Sequence, residues 1–164
     1  MSTPDKLAAA LWEADRHRQI LAEALAEWDR SPATGWPSLE ADHGCVRLVD
    51  QILFRFIKLQ DALGERLVPA TLAALNEPFE DWAMRDRLTR LEKLGYLDID
   101  AWLAWREARN RLAHEYPDHP ELRFASLQAA ILAAHALVTR YEQWRLRLET
   151  AGIVQLTSQG TPCN

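Results

Sequence analysis

Apolar side chains recur every three or four positions along almost the whole chain, and nowhere do they alternate with polar ones over the length of a strand. No Asn-Gly or Asp-Gly pair marks a hairpin either. The pattern therefore predicts an all-α protein, an up-and-down bundle of four to five main helices plus one short helix. A first helix is expected to start at Thr3 as its cap, take Pro4 as its first residue and reach Trp28, with Leu7, Leu11, Ala14, Leu21, Leu25 and Trp28 on one stripe. Pro32, Gly35 and Pro37 interrupt it, since two prolines and a glycine cannot continue a helix. A central helix is expected from Ser38, burying Val46, Val49, Leu53, Phe56, Leu63 and Leu67, with Arg55, Lys58 and Asp61 interleaved among them.

Farther on, breaks at Pro69 and at residues 76–78 predict a short helix held by Leu72 and Leu75. The next helix is placed over residues 80–94 and stops where Gly95 can turn left-handed. Asp98 or Asp100 caps a helix carrying Trp102, Leu103, Trp105 and Leu112, which should finish just before Pro117. A last long helix from Pro120 presents Leu127, Ile131, Ala134, Leu137, Val138, Tyr141, Trp144 and Leu148 and stops around Gly152. Residues 1–152 thus read as one helical domain, and residues 153–164 as a disordered tail.

Length and composition agree with one packed core. A chain of 164 residues can bury about two-thirds of its unfolded surface, and 48% apolar against 26% charged residues excludes a disordered chain. No apolar run approaches the roughly 20 residues that cross a bilayer, and residues 1–6 carry no basic stretch leading into an apolar block, so no membrane partner is expected and the cytoplasm is the expected location. Cys45 and Cys163 stand far apart without metal-ligand spacing and read as plain thiols, with no metal and no cofactor expected.

A net charge of -5 is unfavourable for a protein that touches RNA, but the charge is unevenly spread. Residues 1–50 hold five basic and nine acidic side chains, whereas residues 85–111 hold seven basic and five acidic. Within that second region lies the only concentration of side chains suited to phosphate chemistry: Arg109-Asn110-Arg111-Leu112-Ala113-His114-Glu115-Tyr116. On a regular helix Asn110 and His114 stand about 400° apart, hence one turn apart on one face. Arg109 and His114 lie about 500° apart and diverge in a single copy, so a two-fold pairing of this helix with its twin is what would gather them in one cleft.

Such a cleft suits RNA backbone cleavage. Histidine, with an ordinary pKa of about 6.5, can be neutral in one copy and charged in the other, so a pair of His114 residues would provide the base for the ribose 2′-hydroxyl and the acid for the departing 5′-oxygen without a metal. Arg109 would hold the phosphate with its planar fork, Asn110 would orient phosphate or imidazole, and Arg106 and Arg111 would guide the RNA strand. DNA lacks the attacking hydroxyl, so RNA is the expected substrate. The plainer alternative makes His114 a partner for a helix C-terminus and the arginines solvated surface residues. His17, His43, His119 and His135 have no companion at ligand spacing.

The same eight residues resemble the Arg-x4-His-x-Tyr motif of HepT-like toxins in the HEPN superfamily, with a polar residue after the arginine and a tyrosine two beyond the histidine. The resemblance implies a HEPN-like bundle forming a two-fold homodimer, and a metal-independent endoribonuclease of a toxin-antitoxin system whose catalytic residues would be Arg109, Asn110 and His114 from both subunits. It further implies a nucleotidyltransferase antitoxin of the MNT type, which in such pairs can attach AMP to the motif tyrosine, here Tyr116. An adenylate there would repel RNA phosphates. Two other readings remain open: a non-catalytic partner that docks to a nucleotidyltransferase, and a purely structural bundle.

Overall fold

The computed structural model describes residues 1–114 and 116–155, and it is built of helices alone among the described residues. The first, α1 (Thr3–Arg30), starts one residue earlier than expected. Ser2, not Thr3, is its cap: the Ser2 hydroxyl accepts the Asp5 backbone N–H while the Asp5 carboxylate accepts the Ser2 N–H. All six expected stripe residues are buried. The interruption after α1 is shorter than expected, because Pro37 sits in the first turn of a small helix α2 (Trp36–Ala41), where its missing N–H is harmless. Asp42 then caps α3 (His43–Ala62) by accepting the N–H groups of Gly44 and Cys45.

Pro69 does not break the chain's course. Residues Leu63–Leu67 form a π-helical turn that runs from α3 directly into α4 (Val68–Ala74). The wider turn sends the Val68 N–H to the Leu63 carbonyl and makes room for the proline ring. Gly64 lies in this turn, where an added Cβ would come within 3.3 Å of the Trp102 ring, so the glycine permits a close approach. A looser stretch leads to α5 (Met84–Lys93), which starts later than predicted. The chain before it is held instead by the Arg87 side chain, which donates to the Glu80 and Trp82 carbonyls. Asp98 caps α6 (Ile99–Leu112), and α7 (Pro120–Thr150) completes the chain.

Three helices end alike. After α4, α5 and α7 the residues Asn76, Gly95 and Gly152 adopt φ of 56°, 82° and 70°, and the next N–H returns to Leu72, Leu91 and Leu148 respectively. Side-chain pairs give the directions of packing. Glu13 to Arg66 and His17 to Arg55 make α1 antiparallel to α3 and its continuation, while Asp15 to Arg145 and Asp29 to His135 make it antiparallel to α7. Helix α6 folds back on α7, Leu112 sharing a groove with Leu127 and Tyr96, just before α6, lying 5.8 Å from Trp144. The result is a bundle of six helical rods among the described residues, counting α3, the π turn and α4 as one.

Trp144, Tyr141 and Phe56 are the largest fully buried side chains. The indole Nε1–H of Trp144 donates to Thr71 Oγ1 at 3.1 Å, and the Tyr141 hydroxyl donates to Asp15 at 2.6 Å. Burial and that carboxylate push the Tyr141 hydroxyl pKa well above its ordinary value. One sequence expectation is corrected in α7. Residues 124–139 contain no Asp, Glu, Lys or Arg, and an 18-residue window of the helix reaches a mean hydropathy of 1.4, enough by length and composition to cross a membrane. Core helices of bundles meet the same criterion, and ten residues of α7 are buried against its neighbours. Cys45 is a free thiol whose pKa is raised by burial and then by Asp42; of the tail expected over residues 153–164, Ile153 and Val154 are instead half-buried against the core, the Ile153 N–H returning to the Leu148 carbonyl, and residues 156–164, Cys163 among them, fall outside the described residues.

Candidate functional site

The motif lies where α6 gives way to the loop before α7. Helix α6 stops at Leu112, and the His114 N–H closes a tight turn on the Arg111 carbonyl at 3.1 Å. The Tyr116-Pro117 pair beyond bars the helix from resuming, since a residue before proline is steered out of helical geometry. This corrects one element of the sequence reading. His114 does not stand one helical turn from Asn110 on a common face, because it has already left the helix.

Arg109 is half-buried and turned inward, and its guanidinium hydrogen-bonds Asp61 on α3. In the sequence Asp61 is no more than one polar residue between apolar ones. Asn110 and Arg106 are exposed, and Arg111 makes a loose pair with Glu107 one turn back at 3.3 Å. The His114 ring is exposed and lies 6.4 Å from the half-buried Tyr116 ring. Glu115 lies outside the described residues.

His114 and Arg111 border a groove of about 460 Å3 between α2, α3, α6 and α7. Its walls are apolar, with Leu39, Val49 and Leu127 among them, and its polar members include Asp50, Glu40 and Ser126. Arg123 of α7 joins them, its guanidinium 5.0 Å from the centre of the Trp36 ring, close enough for a cation to interact with the ring face. Arg123 forms no ion pair among the described residues. The Trp36 indole N–H is buried and finds no acceptor among the described residues.

The fold thus brings Arg111 and His114 together and adds Arg123 and Trp36, while Arg109 is not among the groove's lining residues. Trp36 and Arg123 had no local sequence signal. Trp36 reads as part of a proline-bounded turn, and Arg123 as one polar residue in the first turn of a long helix. Among the described residues no three His, Cys, Asp or Glu side chains gather as a metal-holding group. Comparison of the chain with protein-family models, with curated proteins and with solved structures finds no match.

Proposed function

We propose that the chain is a metal-independent endoribonuclease toxin with a HEPN-like fold, acting as a two-fold homodimer. The observation that carries this reading is the Arg109-Asn110-x3-His114-x-Tyr116 string at a helix end of an all-α bundle, with the His114 ring exposed beside Arg111 and a groove that also holds Arg123. Arg109 and His114 diverge within one chain, which supports a site completed by a second copy. Phe54 and Leu103 are half exposed, and each lies seven residues before a residue of the motif region, Asp61 on α3 and Asn110 on α6, hence on the same helix stripes. Each leaves apolar area uncovered on its own helix, which supports a face able to receive a twin.

In the dimer one neutral His114 takes the proton of a ribose 2′-hydroxyl, and that oxygen attacks the adjacent phosphorus. The bond from phosphorus to the 5′-oxygen breaks, and the partner's charged His114 gives its proton to the departing oxygen. The products are a 2′,3′-cyclic phosphate and a free 5′-hydroxyl. Arg109 stabilises the charge that builds on the phosphate, Asn110 orients it, and Arg106 and Arg111 hold the flanking strand. A nucleotidyltransferase antitoxin that adenylates Tyr116, 6.4 Å from the His114 ring, would set a bulky anion beside the base and shut out RNA.

Expression of the wild-type chain should arrest growth, and Arg109→Ala and His114→Ala should each abolish arrest while still folding and dimerising, with RNA cleavage down about 100-fold or more. Arrest persisting in both variants overturns the proposal. The ion pair of Arg109 with Asp61 favours a second reading, in which the arginine is held for structure and the protein is a non-catalytic partner that docks to a nucleotidyltransferase. That reading expects His114→Ala to leave RNA cleavage at the background level of the wild-type chain.

A further inference from the structure

The groove beside His114 is larger than a catalytic histidine requires, and its composition is specific. Arg111, Arg123 and the imidazole of His114 line it together with Glu40 and Asp50, much of the remaining wall is apolar, and the Trp36 indole has a buried N–H with no acceptor among the described residues. A buried donor left without an acceptor is unfavourable, so a ligand that supplies one is favoured at that point. A nucleobase has the matching chemistry: two flat faces that tolerate apolar walls, an edge of ring nitrogens and carbonyl oxygens that accept hydrogen bonds, and a phosphate on either side for the cations. At about 460 Å3 the groove exceeds the volume of one base and its ribose.

We propose that this groove is a nucleobase subsite, which seats a base flanking the phosphate handled at His114, with the Trp36 N–H donating to an acceptor on the base edge and Arg123 holding the adjoining phosphate. The identity of the occupant rests on the ribonuclease reading, whereas the groove's chemistry does not. Arg123 already lies over Trp36, so the cation is positioned before any ligand arrives. Asp50 and Glu40 at the same groove are able to accept from an exocyclic amino group, which favours adenine, guanine and cytosine over uracil.

The test is calorimetric titration of the full chain with AMP, CMP and UMP and, as the base-free control, ribose 5-phosphate. AMP should bind about tenfold or more tightly than ribose 5-phosphate, with UMP the weakest of the three nucleotides. Trp36→Phe keeps an aromatic ring but removes the N–H, and it should weaken AMP binding about fivefold without moving the helical circular-dichroism signal. Arg123→Ala should weaken AMP and ribose 5-phosphate alike. Equal affinity for AMP and ribose 5-phosphate, or AMP affinity unchanged in Trp36→Phe, overturns the subsite. An RNA cleavage assay on the same wild-type sample separates the two claims. Cleavage without base-dependent binding removes the subsite and leaves the nuclease, and base-dependent binding without cleavage does the reverse.

Discussion

The two ends of α7 treat polar side chains in opposite ways. Toward its C-terminus, Tyr141, Arg145 and Glu149 close upon one another and on Asp15 of α1, and Trp144 spends its one donor on Thr71. Toward its N-terminus, Arg123 has an aromatic face but no carboxylate among the described residues, the Trp36 N–H has no acceptor, and His114, Asn110 and Arg106 are exposed. A saturated network contributes to holding helices together and has little left to offer a ligand. An unsaturated one contributes little to folding and keeps its donors and charges for something that arrives later.

Breaking the saturated end should cost most. Trp144→Ala should lower stability by about 3–5 kcal/mol, measured by chemical denaturation, because it empties a site at the centre of the core and leaves Thr71 unpartnered. At the open end His114→Ala should change stability by no more than about 0.5 kcal/mol. A loss of several kcal/mol in the latter would erase the contrast and make His114 a structural residue. Gln60 of α3 is a misfit within the core, 4% exposed with neither amide atom hydrogen-bonded among the described residues. Gln60→Leu should therefore raise stability by about 1 kcal/mol, seen as a higher thermal midpoint, and a lower midpoint would show that the amide has a partner in solution.

The ion pair of Arg109 with Asp61 tests the boundary between the two regimes. Both side chains are about one-third exposed, so a double-mutant cycle of Arg109→Ala and Asp61→Ala should give a coupling of about 1 kcal/mol or less. A coupling well above that would place Arg109 with the structural network and favour the non-catalytic reading. The smallest effect is expected at His17, whose Nδ1 accepts from Arg55 at 2.9 Å. Burial and then the Arg55 charge lower its pKa below 6.5. The unfolded chain then binds the proton that the folded chain resists, so the contribution of His17 is whole above pH 6.5 and declines as pH falls below that value. His17→Gln should flatten the acid side of the stability curve, and a variant with the wild-type slope would remove the assignment.

Much of the fold could be read from local rules. The stripes of α1 and α7 are buried as the spacing predicts, Gly95 turns left-handed as expected, and α7 stops just before Gly152, which turns the same way. Local rules misjudged Pro69, because a proline forbids one α-helical bond but does not forbid a π turn that dispenses with it. They also misplaced His114 on the helix: α6 ends at Leu112, whereas the Tyr116-Pro117 pair restricts only Tyr116 and so marks no end that early. The motif itself was legible because its residues are contiguous. The Asp61 partner of Arg109 lies 48 residues away and Trp36 approaches Arg123 only through packing of α2 on α7, so neither relation leaves a trace in spacing.

The π turn at Leu63–Leu67 also fixes the chain's tolerance to length change. It holds one residue more than an α-helical path would need, so removing a single residue there would let the rod become regular while the helices on either side keep their facing. Val68, Ala70 and Leu72 would stay on the core and Thr71 beside the Trp144 indole, whereas the same deletion within regular α3 would turn all of them by about 100°. The turn is thereby the one place along this rod where a lost residue need not be felt farther on.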